Sequence, residues 1–212
     1  MLTNEEYKKL SVKEFSKAAE IYESMYKICK RDYPDVIEEI EKEPFETLLD
    51  AGCGPAPILL RLTKKHTNKE FFGIDLTPQM IERAKKQNLP NTTFVIGDCE
   101  NLPFKANSFD VIVCCQSFHH YPNPLFFFQS AAKCLKPNGR LIIRDIGTKN
   151  KIIQWYFDHI ETPLMNIMGF GDVAKYTKEF IEECCIKSNL RLETFEHRFP
   201  FRIHCVIRKE IA

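Results

Sequence analysis

Strand-like runs at residues 45–50, 70–75, 92–96, 109–115 and 140–146 alternate with stretches of helical pattern. The units recur at roughly 20 to 35 residues, the length of a strand–helix–strand crossover, which favours a parallel sheet with helices on both faces. The run Phe109-Asp-Val-Ile-Val-Cys-Cys is almost wholly apolar, as a strand covered on both sides must be. Thr77-Pro78 and Asn123-Pro124 each set a capping residue before a proline suited to a first helical turn. Helices are therefore expected from Pro78 through Met80, Ile81 and Ala84, from Pro124 to about Lys136, and over residues 55–66 with Ile58, Leu59 and Leu62 inward.

The flanks read differently. Over residues 5–42, Phe15, Ala18, Ala19, Ile21, Tyr22 and Met25 recur at helical spacing, and Pro34 divides the stretch into two helices. Residues 150–176 are irregularly helical and rich in aromatic residues and Met. Residues 177–188 form a helix, and residues 190–198 and 201–208 alternate as two antiparallel strands about Pro200. The expected fold is α/β: a doubly wound, seven-stranded, mostly parallel sheet with an antiparallel C-terminal hairpin and helices on both faces. One domain is expected over 1–212. Residues 1–44 form a helical cover, 45–146 a ligand-binding core, 147–176 a substrate-side cover, and 177–212 a terminal helix and hairpin.

A chain of 212 residues can bury its core without disulfides. The 30 basic and 29 acidic residues leave a net charge of +1, which gives no global reason to expect nucleic acid or an anionic membrane as partner. Nine cysteines include no C-x-x-C pair, and Cys114, Cys134 and Cys205 sit in apolar patterns as small buried hydrophobes. That usage suits a reducing compartment. Residues 1–10 carry no signal-type apolar region, and no apolar run reaches the ~18–20 residues of a membrane span. A cytoplasmic location is expected, and no oligomeric state is indicated.

The chemistry concentrates in Leu48-Leu49-Asp50-Ala51-Gly52-Cys53-Gly54. In an open α/β sheet, ligands bind outside the carboxyl end of such a strand, and glycine lets the backbone bend closely beneath them. Pro57 stands where a dinucleotide fingerprint needs its third Gly, and no phosphate-loop Lys follows. A carboxylate beside a lysine-free turn suits the cationic end of a nucleotide-type ligand.

Asp50-Ala-Gly-Cys-Gly resembles the first motif of the class I S-adenosylmethionine-dependent methyltransferases, whose fold is Rossmann-like. The resemblance implies that Gly52, Cys53 and Gly54 pass under the methionine portion of the cofactor, with Asp50 near its ammonium. Asp75, about 20 residues beyond the turn, is placed for the ribose hydroxyls, and Leu76 and Met80 would flank the adenine. Asp98, in Gly97-Asp98-Cys99-Glu100-Asn101-Leu102-Pro103-Phe104, would accept from the adenine amino group, with the Cys99 N–H serving the ring. The Leu-Pro-Phe is similar to a segment of the ubiquinone-biosynthesis-type and other small-molecule branches. Tyr22, in a segment resembling A-x-x-Y-D with Glu23 for the Asp, would close over the methionine part. Lys136-Pro-Asn-Gly-Arg is similar to the family's L-K-P-G-G turn, where Asn and Gly accept positive φ.

The fourth strand ends in Gln116-Ser117-Phe118-His119-His120-Tyr121, which the resemblance places beneath the transferable methyl, with Gln116 and Ser117 among the expected cofactor-binding residues. It lacks the Asn/Asp-Pro-Pro-Tyr/Phe of base N-methylation. Adjacent histidines share no helical face and have no zinc-type spacing, so no metal is expected. A structural role for the pair stands beside a substrate-contact or base role, and His120 is the catalytic candidate.

A sulfonium methyl is already activated, so the protein must mainly orient a nucleophile and exclude water. The expected function is in-line transfer of that methyl to a small, partly apolar acceptor, leaving S-adenosylhomocysteine. The alternatives are a non-catalytic S-adenosylmethionine-binding accessory protein acting through a partner, or a protein or RNA methyltransferase. An aminopropyltransferase lacks its acidic pair after the fourth strand, and Pro57 counts against a nicotinamide enzyme.

Overall fold

The computed structural model describes residues 2–19, 21 and 31–210. Its seven strands are β1 (Thr47–Ala51), β2 (Glu70–Asp75), β3 (Thr92–Ile96), β4 (Phe109–Cys115), β5 (Leu135–Ile146), β6 (Leu190–Arg198) and β7 (Arg202–Lys209). They form one sheet in the order β3-β2-β1-β4-β5-β7-β6. β1 to β5 are mutually parallel, and β7 lies antiparallel between β5 and β6. Strand order reverses between β1 and β4, so a crevice opens at their carboxyl ends.

Alternate residues of the central strands serve opposite layers, as the two-residue period of a strand requires. Leu49, Ile112, Cys114, Leu141 and Ile143 join one core cluster, and Leu48, Val111, Val113 and Ile142 join the other. The first is covered by α5 (Pro124–Cys134) and α8 (Lys178–Lys187), the second by α2 (Asp32–Glu41) and α3 (Leu59–Lys65). This is the expected doubly wound sheet with helices on both faces.

α1 (Asn4–Ala18) begins in a capping box, in which Thr3 and Glu6 satisfy each other's free backbone N–H groups. α2 is held at both ends by arginines from β5 and β7. Asp32, at its start, is 2% exposed and accepts from Arg144 Nε at 2.7 Å and Arg202 Nε at 3.0 Å. At its other end Arg140 donates to the carbonyls of Glu39 and Ile40 at 3.0 and 2.9 Å, where the helix dipole favours a cation. Pro34 falls in the first turn of α2, the boundary its ring favours.

Three local expectations are corrected. Residues 55–58 are not helical, because Ala56 takes a φ of 61° and the helix starts only at Leu59. α4 (Pro78–Lys85) begins after Thr77 as expected, but the Thr77 side chain makes no capping bond. The anticipated turn before β5 lies within the strand: pairing steps from Phe109–Leu135 to Val111–Arg140, and Asn138 absorbs the irregularity at a φ of 62°.

After β5 come α6 (Lys151–Tyr156), a wider helical turn over residues 157–161, and α7 (Thr162–Met168), which Gly169 ends at a φ of 93°. The aromatic and Met side chains of this stretch turn largely outward, and Ile152 and Ile167 are 79% and 83% exposed.

Candidate cofactor and methyl-transfer site

At the crevice between β1 and β4 lies a cleft with a cavity volume of about 70 Å³. Its floor is the glycine turn. The Gly52 and Cys53 N–H groups both donate to the Ile74 carbonyl, at 2.9 and 3.0 Å, which ties the turn to β2. Gly52 sits at a φ of +75°, and a Cβ there would come 1.9 Å from Ser117 Oγ. No other residue fits that position.

Asp75 closes β2 and lines the cleft. It accepts from the Gly54 N–H at 2.9 Å and the Thr77 N–H at 2.8 Å, one through each oxygen. Each oxygen keeps a lone pair for a further donor. Burial raises its pKa, partly offset by these amide bonds. Asp50 lies beneath the turn, 2% exposed, and does not line the cleft. Its Oδ2 has no partner, and burial, then the charge of Asp75, push its pKa up to about 8. Cys53 is likewise buried below the floor.

Leu76, Met80, Asp98, Cys99, Gln116, Ser117 and His120 all line the cleft. Asp98 holds the short turn that follows it by accepting from the Glu100 N–H at 2.9 Å. Tyr22 lies outside the described residues.

The roof of the cleft is α1, through Lys8, Ser11, Val12 and Phe15. The Lys8 ammonium is 2.7 Å from Asp98 Oδ2 and also pairs with Glu100. Burial alone would lower the pKa of Lys8, but its hydrogen bonds to the two carboxylates raise it, so the clamp stays ionic. Phe15 meets the His120 ring edge-on at 5.1 Å, and Ser11 donates to the Gly171 carbonyl at 3.3 Å. Helical periodicity marked this stretch as a cover, but no motif pointed to Lys8. Thr77, Tyr121 and Pro122 also line the cleft, beside expected residues.

The two histidines divide their roles. His119 Nδ1 is 2.6 Å from Asp145 Oδ1. Burial opposes its charge, yet Asp145 outweighs burial and raises its pKa. In His120, burial and then the neighbouring His119 lower the pKa to about 4, so its imidazole is neutral near pH 7. Its Nδ1 is 3.3 Å from the Gly171 carbonyl. A proton on Nδ1 makes that bond, which leaves the Nε2 lone pair available as an acceptor. His119, His120 and Asp172 bring ligand-type atoms within 4.8 Å of one another. Their charges are met inside the chain: Asp145 pairs with His119, and Lys175 lies 2.6 Å from Asp172.

A glycine turn under a cleft, with acids at the ends of β2 and β3 on a sheet of this order, is a candidate nucleotide-type cofactor site on a methyltransferase-type fold. Residues 49–143 match the family described as "Methyltransferase domain". The matched stretch holds Asp50-Ala-Gly-Cys-Gly, Asp75 and Asp98, the residues that carry the resemblance to S-adenosylmethionine-dependent methyltransferases. It is 33% identical over 121 residues to a phthiotriol/phenolphthiotriol dimycocerosates methyltransferase of Mycobacterium leprae, a match covering 57% of this chain and 45% of that protein. It thus spans about half the length of those mycobacterial relatives. To a demethylmenaquinone methyltransferase of Thermotoga maritima it is 28% identical over 179 residues, covering 80% of this chain and 78% of the relative. The fold is shared with a chain from the complex between the Haloferax volcanii Trm112 methyltransferase activator and a methyltransferase. That TM-score is 0.77 at 18% identity, over 95% of this chain and 98% of the other.

Proposed function

We propose that this chain transfers a methyl group from S-adenosylmethionine to a small, partly apolar acceptor in line with the breaking bond. The observation that carries the reading is the convergence of Gly52, Gly54, Asp75 and Asp98 on one cleft. When bound there, S-adenosylmethionine supplies a sulfonium methyl already activated for displacement.

The chain's own residues bind, orient and keep water out. Gly52, Cys53 and Gly54 offer backbone to the methionine portion. Asp75 offers its remaining lone pairs to the ribose hydroxyls. Leu76 and Met80 wall the adenine, and Asp98 with the Cys99 N–H reads its edge. Val12 and Phe15 roof the cleft, and Gln116 and Ser117 mark the acceptor side at the end of β4. There the neutral His120 can take the proton an acceptor hydroxyl or amine must lose.

Relatives named for a quinone and for dimycocerosates support an apolar acceptor. Eight cysteines among the described residues are free and buried, in keeping with a reducing, cytoplasmic setting.

The test is thermal unfolding with and without ligands. S-adenosylhomocysteine is expected to raise the melting temperature, and NAD to leave it unchanged. Asp75→Ala should weaken S-adenosylhomocysteine binding by about 1–3 kcal/mol. Stabilisation by NAD alone would refute the proposal.

A further inference from the structure

Residues 151–168 are amphipathic in the wrong sense for a helix facing water. Their inner side, where Ile153, Phe157 and Met165 are half-buried, is tied down by polar contacts. Gln154 donates to the Lys175 carbonyl at 2.8 Å, Glu161 pairs with the Lys175 ammonium at 2.7 Å, and Asn166 donates to the Asp172 carbonyl at 2.6 Å. Their outer side carries Ile152, Trp155, Tyr156, Ile160, Ile167 and Met168, all exposed. A helix on a globular surface normally points its apolar stripe at the core. Here the hydrogen bonds fix the opposite orientation, so rolling the helix over would break them.

The apolar surface does not stop at the helix. Phe199, in the β6–β7 turn, is 94% exposed, and the neighbouring Phe201 ring stands 6.0 Å from Phe157. The Gly147 N–H donates to the Phe201 carbonyl at 3.0 Å, and Ile146 at the end of β5 pairs with Arg202. Hairpin tip and helix therefore share the carboxyl edge of the sheet with the cofactor cleft. The end of the segment reaches the acceptor side itself, because Gly171 and Asp172 lie behind His120. A patch this apolar beside a binding cleft marks an interaction surface.

Charge selects the occupant. Lys149 and Lys151, at the start of α6, are exposed, and no acid pairs with either among the described residues. Asp158 is the single exposed acid in residues 151–168. Lysines at the margin of an apolar, Trp- and Tyr-bearing face match the phosphates above a bilayer's hydrocarbon. The apolar face of a second copy offers them no such counterpart. Among the described residues no helix is long and apolar enough to cross a membrane, so the segment would lie in the interface plane.

We infer that the outer face of residues 151–168, with Phe199 and Phe201, docks on an anionic lipid bilayer and holds the cleft at the membrane surface. Delivery of a membrane-dissolved acceptor to that cleft rests on the methyl-transfer reading; the docking itself does not.

Trp155 is the only tryptophan of the chain, so its fluorescence reports on this face alone. The full chain is titrated with phosphatidylcholine vesicles, with and without phosphatidylglycerol, while Trp155 emission and co-sedimentation are followed. Emission should move to shorter wavelength and the protein should sediment with the vesicles, more strongly when phosphatidylglycerol is present. The double variant Ile152→Glu/Ile167→Glu should lose at least about tenfold in partitioning, while stabilisation by S-adenosylhomocysteine stays unchanged. Unshifted emission with protein left in the supernatant would overturn the inference. So would a dimer in light scattering that the double variant dissociates, without vesicle binding. Vesicle binding without an S-adenosylhomocysteine effect would uphold docking and refute the cofactor reading.

Discussion

Asp50 shows how a residue can be conspicuous in sequence and concealed in the fold. It sits under the glycine turn, unpartnered at Oδ2, with its pKa raised from 3.8 to about 8 by burial and by Asp75. A carboxyl so poised is neutral near pH 7 and would lose its proton when a cation arrives nearby. The sign for stability follows from linkage. The folded-state pKa lies above the unfolded one, so the stabilising contribution is whole at pH values below the unfolded pKa and is lost as pH rises towards about 8. Asp50→Asn, neutral throughout, should flatten the stability profile across that window and gain on the parent as pH rises. Urea unfolding at the two ends of the window measures this, and parallel profiles would exclude it. Lys8 is the opposite case. It grips Asp98 across 90 positions of sequence, and no local pattern announces a lysine's distant partner.

Among the elements, α2 depends on charges brought from β5 and β7. Asp32 is enclosed with Arg144 and Arg202, and Arg144 Nη1 already lacks a partner. Asp32→Ala would strip the buried Arg202 of its carboxylate and leave Arg144 with Asp35 alone, a loss expected to cost about 3–5 kcal/mol. Denaturant unfolding tests it; a loss below about 1 kcal/mol, the worth of an exposed pair, would mean that water replaces the carboxylate. Sequence reading gave α4 and α8 their starts at Thr77 and Thr177, because caps and prolines are local signals. It placed the start of α3 too early, because the positive φ of Ala56 is imposed by the turn over β2 rather than by any preference of alanine. It treated the aromatic stretch of residues 150–176 as a substrate-side cover, and composition does not say which way a helix faces. The contacts of Gln154, Glu161 and Asn166 decide that.

For the molecule as a whole, ligand stabilisation is governed by mass action. S-adenosylhomocysteine at 100 times its Kd should add about 2.7 kcal/mol to the unfolding free energy if it binds only the folded chain. A net charge of +1 correctly describes a chain without a global field, but it averages over surfaces and hides a local one with Lys149 and Lys151 beside exposed apolar side chains. The alternation of strand and helix, the doubly wound sheet and the acids at three strand ends were legible in the sequence, because periodicity, caps and glycine turns act within a few residues. The roof formed by α1, the opposite pKa shifts of His119 and His120, the raised pKa of Asp50 and the outward apolar face were decided only by tertiary structure. Each of these depends on burial and on partners far away in sequence, and the free energies of desolvation and ion pairing do not exist until the chain has closed around them.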